Sequence, residues 1–315
     1  DGELQQSTTT ENISNNTANT SNFMFSLQPI TGVTTGNTNS WTTSWVDIDN
    51  DGDDDLFITD KTANAANLLF RNNGSLAFTK ITTGDLPNHK AKTIGNSWAD
   101  VDNDGDIDVL VINDTEKPCE LFLNNGTGTF TRATETGFNT LPGYYHGAAF
   151  ADYDKDGFTD VLFTNYMPTK FHELYHNNGD GTFTFVENSV FSTISANALT
   201  PNWGDYDNDG DLDVFIPNDN DENNTLARNN GDGTFTQITS GNIVNDGGPS
   251  TGSAWGDYDN DGDLDLFVSN SGTANNFLYN NNGNGTFSKV TNTPMTTGGG
   301  HSHGCSWVDV DNDMD

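Results

Sequence analysis

The chain has 315 residues, with 46 Asp plus Glu against 11 Lys plus Arg and a formal net charge of −35. A field of that sign repels phosphate backbones and anionic headgroups, so it excludes an electrostatic grip on nucleic acid or on an acidic membrane surface. No apolar run approaches the ~18 residues of a spanning helix, so no membrane insertion is expected. The two cysteines, Cys119 and Cys305, build no disulfide framework and are expected as buried free thiols.

Taken in chain order, residues 1–22 are rich in Thr, Asn, Ser and Gln, almost without apolar side chains, and read as a flexible leader. From 23 to 315 one pattern repeats. Phe25 lies 22 residues before the acidic segment Asp47 to Asp55, DIDNDGDDD. Short apolar runs follow at 56–59, 68–70 and 77–81, each bounded by Asn, Gly and Asp and each of strand character. An Asn-Asn-Gly turn at Gly74 joins the last two as a hairpin. The acidic segment recurs at 100–108, 152–160, 205–213 and 257–265, and a sixth opens at Asp309, with spacings of 52 or 53 residues. The hairpin recurs at Gly126, Gly179, Gly231 and Gly283. Four short strands every 52 residues describe a blade of an all-β propeller, one domain in which each blade buries its faces against its neighbours. Five blades are complete, from 41–81 to 251–290. Residues 23–30 supply only a fourth strand and 304–309 only a first. Closing the ring through 23–30 removes open strand edges, whereas edges left open favour self-assembly into a filament.

The acidic loops carry the chemistry. Carboxylates packed this closely repel one another unless a cation neutralises them. Positions 1, 3, 5 and 9 are Asp47, Asp49, Asp51 and Asp55; Asp100, Asp102, Asp104 and Asp108; Asp152, Asp154, Asp156 and Asp160; Asp205, Asp207, Asp209 and Asp213; Asp257, Asp259, Asp261 and Asp265. The sixth loop begins Asp309, Asp311, Asp313. Position 7 is Asp53, Asp106, Phe158, Asp211 or Asp263, a variation expected if it offers only its backbone carbonyl. Position 4 varies to Lys155, so its side chain is expected to face water. An all-oxygen cage of this kind suits Ca2+, about five ions per chain and a sixth if the last loop is complete. It is no EF-hand, because position 12 is Ile58, Val111, Phe163, Ile216 or Val268 rather than Glu.

The Trp-x-Asp-x-Asp-Asn-Asp-Gly-Asp-x-Asp lines and the Leu-Phe-x-Asn-Asn-Gly-x-Gly-x-Phe lines resemble the FG-GAP/VCBS repeat family, whose blades are similar to those of integrin α-subunits. The resemblance covers 23–315 and implies a propeller, commonly seven-bladed, with Ca2+ between the first two strands of a blade. It also implies an extracellular setting, secreted or at the cell surface. Phe150 stands where the other blades have Trp45, Trp98, Trp203, Trp255 and Trp307, and Met314 stands where Gly is expected.

The aromatics before each loop are expected as blade-to-blade core. His146, His301 and His303 are expected to line a wet channel or one face, with transition-metal ligation as the sharper alternative. No nucleophile elbow, phosphate loop or serine triad is present. The chain therefore reads as a binding or structural module and not an enzyme. Its protein or glycan ligand would meet the variable segments 86–96, 138–147, 192–201, 241–252 and 293–304. The enzymatic alternative is a calcium-dependent polysaccharide lyase using Tyr144, Tyr145, His146 or Lys170.

Overall fold

The computed structural model describes residues 31–33, 39–114, 117–138 and 145–309. Five antiparallel meanders follow one another. The first is β1 (Ser40–Val46), β2 (Asp55–Asp60), β3 (Leu68–Asn72) and β4 (Phe78–Ile81). The second is β5 (Thr93–Ala99), β6 (Asp108–Asn113), β7 (Glu120–Asn124) and β8 (Phe130–Arg132). The third is β9 (Tyr145–Ala151), β10 (Asp160–Phe171), β11 (Glu173–Asn177) and β12 (Phe183–Phe185), with β13 (Ser195–Asn197) paired to the far end of β10. The fourth is β14 (Asn202–Gly204), β15 (Asp213–Ile216), β16 (Thr225–Asn229) and β17 (Phe235–Ile238). The fifth is β18 (Ser250–Gly256), β19 (Asp265–Asn270), β20 (Phe277–Asn281) and β21 (Phe287–Val290). The blades expected from the 52-residue period are these five sheets.

Why the second strand of each blade is a continuous apolar run is visible in the packing. In β6, Val109 and Val111 join the first blade's Phe57 and Leu69 in one cluster, while Leu110 and Ile112 join Val161 and Phe163 of the third blade in another. Alternate residues thus serve opposite neighbours, so both faces must be apolar. The same sharing links the third blade to the fourth and the fourth to the fifth. The core lies between blades rather than within them.

The tryptophans lock this stacking. Trp98 meets Phe57 edge-on at 5.4 Å, and Trp255 and Trp307 meet Phe215 and Phe267 of the blades before them at 6.3 and 6.2 Å. The indole N–H of Trp255 donates to Asn202 O and that of Trp307 to Ala254 O. Gly204 and Gly256 make room, since a Cβ there would lie 2.7 and 2.6 Å from the indole. Trp45 has no such aromatic neighbour among the described residues and is 55% exposed.

One expectation needs adjustment. Residues 304–309 form no strand, although Trp307 is seated in register. A first strand takes its ladder from the second strand of its own blade, and 304–309 have no such pairing. The closure strand proposed at 23–30 lies outside the described residues. Just after it, Thr31 N–H donates to Leu76 O and Phe78 N–H donates to Thr31 O. Phe183 N–H donates to Thr136 O in the same way where the second blade passes to the third.

Candidate functional site

Each acidic loop turns between the first and second strands of its blade. Position 4 takes φ of 57 to 60° and the following glycine, at position 6, φ of 90 to 95°. Asn tolerates the left-handed region better than most residues and Gly pays no Cβ penalty, which accounts for the Asn-Asp-Gly centre. In the first loop the N–H groups of Asp51 and Gly52 donate to the two Asp47 oxygens at 3.1 and 2.8 Å, and Asp53 N–H donates to Asp51 Oδ1 at 3.0 Å. The same bonds form in the other four loops. Asp55 is fully buried and accepts from Ile48 N–H at 3.1 Å and Asn72 N–H at 2.6 Å.

Carboxylate oxygens of positions 1, 3 and 9 converge in three of the loops. Those of Asp47, Asp49 and Asp55 lie within 4.8 Å of one another, as do those of Asp100, Asp102 and Asp108, and of Asp205, Asp207 and Asp213. In the third loop Asp152, Asp154 and Asp156 converge, and His176 joins Asp154 and Asp160. Oδ1 of Asp49, Asp102, Asp154 and Asp207 is buried without a hydrogen-bond partner. A buried carboxylate oxygen left unpaired is costly unless a cation meets it. Burial, reinforced by neighbouring carboxylates, pushes Asp55 up to about 6 and Asp108 and Asp213 up to about 7, against the backbone N–H bonds that favour the charged form. The donor set fits a hard divalent cation. Asp261, Asp263 and Asp265 turn in the same pattern, and Asp311 and Asp313 lie outside the described residues.

Positions 4 and 7 do more than expected. Asn50 Nδ2 donates to Asp106 Oδ1 at 2.9 Å, Asn208 Nδ2 donates to Asp263 Oδ1 at 2.7 Å, and Lys155 Nζ lies 2.5 Å from Asp211 Oδ1. Position 4 is exposed, as expected, and in these three loops it also reaches the position-7 carboxylate of the next blade. The position-7 side chain therefore matters as well as its carbonyl. Phe158 offers no carboxylate, and Asn103 donates to Gly157 O at 2.9 Å instead.

A second set of residues escapes sequence reasoning. In the second to fifth blades the first Asn of the hairpin donates its side-chain N–H to the position-2 carbonyl of the preceding blade's loop. Asn124 reaches Ile48 O, Asn177 reaches Val101 O, Asn229 reaches Tyr153 O and Asn281 reaches Tyr206 O, at 2.7 to 2.8 Å. In three blades the residue before that Asn leans on position 3. Arg71 Nε lies 2.8 Å from Asp49 Oδ2, His176 Nδ1 lies 3.2 Å from Asp154 Oδ2, and Asn280 donates to Asp259 Oδ2 at 2.9 Å. Turn chemistry alone accounts for Asn-Gly in a hairpin, so the only available signal was the fixed register of Asn with each loop.

At the strand ends opposite the loops, the blades surround a cavity of about 560 Å3 lined by Trp41, Lys61, His146, Tyr166, Asp219 and His303, among others. His146 and His303 are therefore channel residues, as expected. His301 is exposed and accepts from Gly272 N–H through Nδ1. Tyr145 is buried and donates to Glu173 Oε2 at 2.7 Å, Lys170 is exposed towards the far end of β10, and Tyr144 lies outside the described residues. Cys119 and Cys305 are free, the first buried and the second half-buried.

Residues 47–111, 100–163, 172–216, 205–268 and 257–315 match the model of the FG-GAP-like repeat. Cartilage acidic protein 1 of Xenopus tropicalis is 32% identical over 161 residues, which are 48% of this chain and 25% of that protein. Its Mus musculus counterpart is 31% identical over the same length. The chain thus spans about a quarter of the length of these curated relatives. Among solved structures, an Agrocybe aegerita lectin superposes with a TM-score of 0.56 at 22% identity, over 79% of this chain and 65% of that one. A V. cholerae biofilm matrix protein superposes with a TM-score of 0.51 at 17% identity, over 84% of this chain and 41% of that one. At these identities the likeness is one of fold.

Proposed function

Because the chain belongs to the FG-GAP-like repeat family, we propose that it is an extracellular calcium-binding β-propeller that works as an interaction module rather than an enzyme. The observation that carries the calcium reading is the buried, unpartnered Oδ1 at position 3 of four loops, each set among converging carboxylates. Carboxylates 1, 3, 5 and 9 would hold the ion, with the carbonyl of position 7. Ca2+ accepts flexible loops of several oxygens, whereas Mg2+ demands a tighter octahedron and sheds water reluctantly. The ion supplies positive charge where the chain has concentrated negative charge. The chain's own residues do the positioning: Arg71, His176 and Asn280 orient position 3, and the hairpin Asn fixes the loop of the preceding blade.

The extracellular setting is supported by the names of proteins this chain resembles, which include a biofilm matrix protein and a cartilage protein. Loops that bind Ca2+ at about 10⁻⁴ to 10⁻³ M suit that environment. Among the described residues, no helix is long and apolar enough to cross a membrane. The variable segments between blades are the surface on which a partner would be met.

Titration calorimetry of metal-stripped chain tests the calcium reading. About five Ca2+ per chain should bind, Mg2+ should bind more weakly, and Asp207→Asn should remove about one Ca2+. Absent uptake, or a stoichiometry unmoved by that substitution, would refute it.

A further inference from the structure

We propose that the cavity opposite the acidic loops binds a neutral saccharide. The proposal rests on the reading of the chain as an interaction module and supplies a ligand class and a site. Its 560 Å3 fall within the range of small-molecule pockets, about 300–1,000 Å3. Because the walls come from first strands and from segments beside the first and second strands of successive blades, the site is set by several blades and not by one loop.

The lining is more specific than a wet channel needs. Trp41 is 48% exposed at the cavity wall, and the Lys61 ammonium lies 3.7 Å from its ring centroid. That contact holds the ring in place while much of its surface stays open. An electron-rich ring face attracts the polarised C–H groups of a pyranose. On the same lining Tyr166 donates to Asp219 Oδ2 at 2.6 Å, and Asn220 N–H donates to Asp219 Oδ1 at 2.7 Å. The carboxylate is therefore fixed in one orientation, with remaining lone pairs available to ligand hydroxyls. His146 packs against Tyr166 with ring centroids 4.8 Å apart. Burial, with Lys61 nearby, lowers its pKa, so it offers one donor and one acceptor at neutral pH.

Charge selects the class. Lys61 and Asp219 offset each other inside the cavity, while the molecule as a whole carries −35. A uronate or sialylated sugar approaches against that field, and a neutral polyol does not. An aromatic platform beside fixed polar groups of both hydrogen-bonding senses is complementary to a ring with C–H faces and hydroxyl edges.

The test uses the calcium-loaded full chain and saturation-transfer NMR, with methyl glycosides of glucose, galactose, mannose and N-acetylglucosamine as probes and glucuronate as the anionic control. At least one neutral glycoside should bind saturably, and more tightly than glucuronate. Trp41→Ala and Asp219→Asn should each weaken it tenfold or more without altering calcium stoichiometry. Should Trp41→Ala disturb folding, Asp219→Asn decides alone, on a chain whose melting temperature matches the wild type. No binding of any neutral probe, a preference for glucuronate, or full affinity in a folded Asp219→Asn chain overturns the proposal. A chain that takes up calcium yet binds no glycoside fails here alone, leaving the calcium reading intact.

Discussion

Asn229 shows how much one side chain carries. Its amide donates to Tyr153 O in the neighbouring loop at 2.8 Å, its own N–H donates to Asp213 Oδ1 at 2.7 Å, and it is fully buried. Asn229→Ala leaves a buried carbonyl without its donor and should cost about 1–3 kcal/mol in chemical denaturation, with calcium stoichiometry unchanged. His172 is a different kind of buried polar group. It accepts from Asn165 N–H through Nδ1, and burial pushes its pKa from 6.5 down to about 4. The folded state therefore refuses a proton that the unfolded chain accepts. The contribution is complete above about pH 6.5 and is lost as pH falls towards 4, a change of about 3 kcal/mol. Calcium-saturated wild type should lose stability across that window more steeply than His172→Asn, and parallel pH profiles would contradict the assignment. Neither residue announces itself in the sequence. The carbonyls that the hairpin Asn residues meet belong to Ile48, Val101, Tyr153 and Tyr206. A backbone acceptor leaves no mark on residue type.

Among elements, the acidic loops were the most legible, because a tight loop with inward carboxylates fixes Asp and Gly at set intervals. The strands were legible for a related reason: a second strand packed on two neighbours must be apolar throughout, as β6 is. Contacts between successive loops were not legible, since Asn50 and Asp106 belong to different repeats and each already has a local explanation. The cavity was only partly so. Its walls draw single residues from segments that differ between blades, so no period reveals them, although His146 and His303 occupy equivalent places. The loop-to-loop link yields a prediction. The Lys155 ammonium sits against the fourth cage through Asp211, and Coulomb repulsion there opposes a bound cation. Lys155→Ala should tighten Ca2+ binding in that loop, and the gain should shrink as salt rises, because the lysine is exposed. Site-resolved NMR titration at two ionic strengths reads this, and weaker or unchanged binding would contradict it.

For the molecule as a whole, charge and architecture are one problem. The five complete loops and the start of the sixth hold 29 of the 46 acidic residues. Five Ca2+ would move the formal charge from −35 to about −25. The loops sit at one end of the strands, and hydrogen bonds join each to the blades beside it. Neutralising a cage therefore strengthens an interface as well as a turn. A ligand that binds only the folded state also stabilises it by mass action. The central claim is that calcium in the loops holds the blades together, and the most direct measurement is the thermal unfolding of the full chain in Ca2+, in Mg2+ and in excess chelator. The melting temperature should be highest in Ca2+, should fall markedly in chelator, and should be only partly restored by Mg2+. A melting temperature that is the same in all three conditions would contradict the claim.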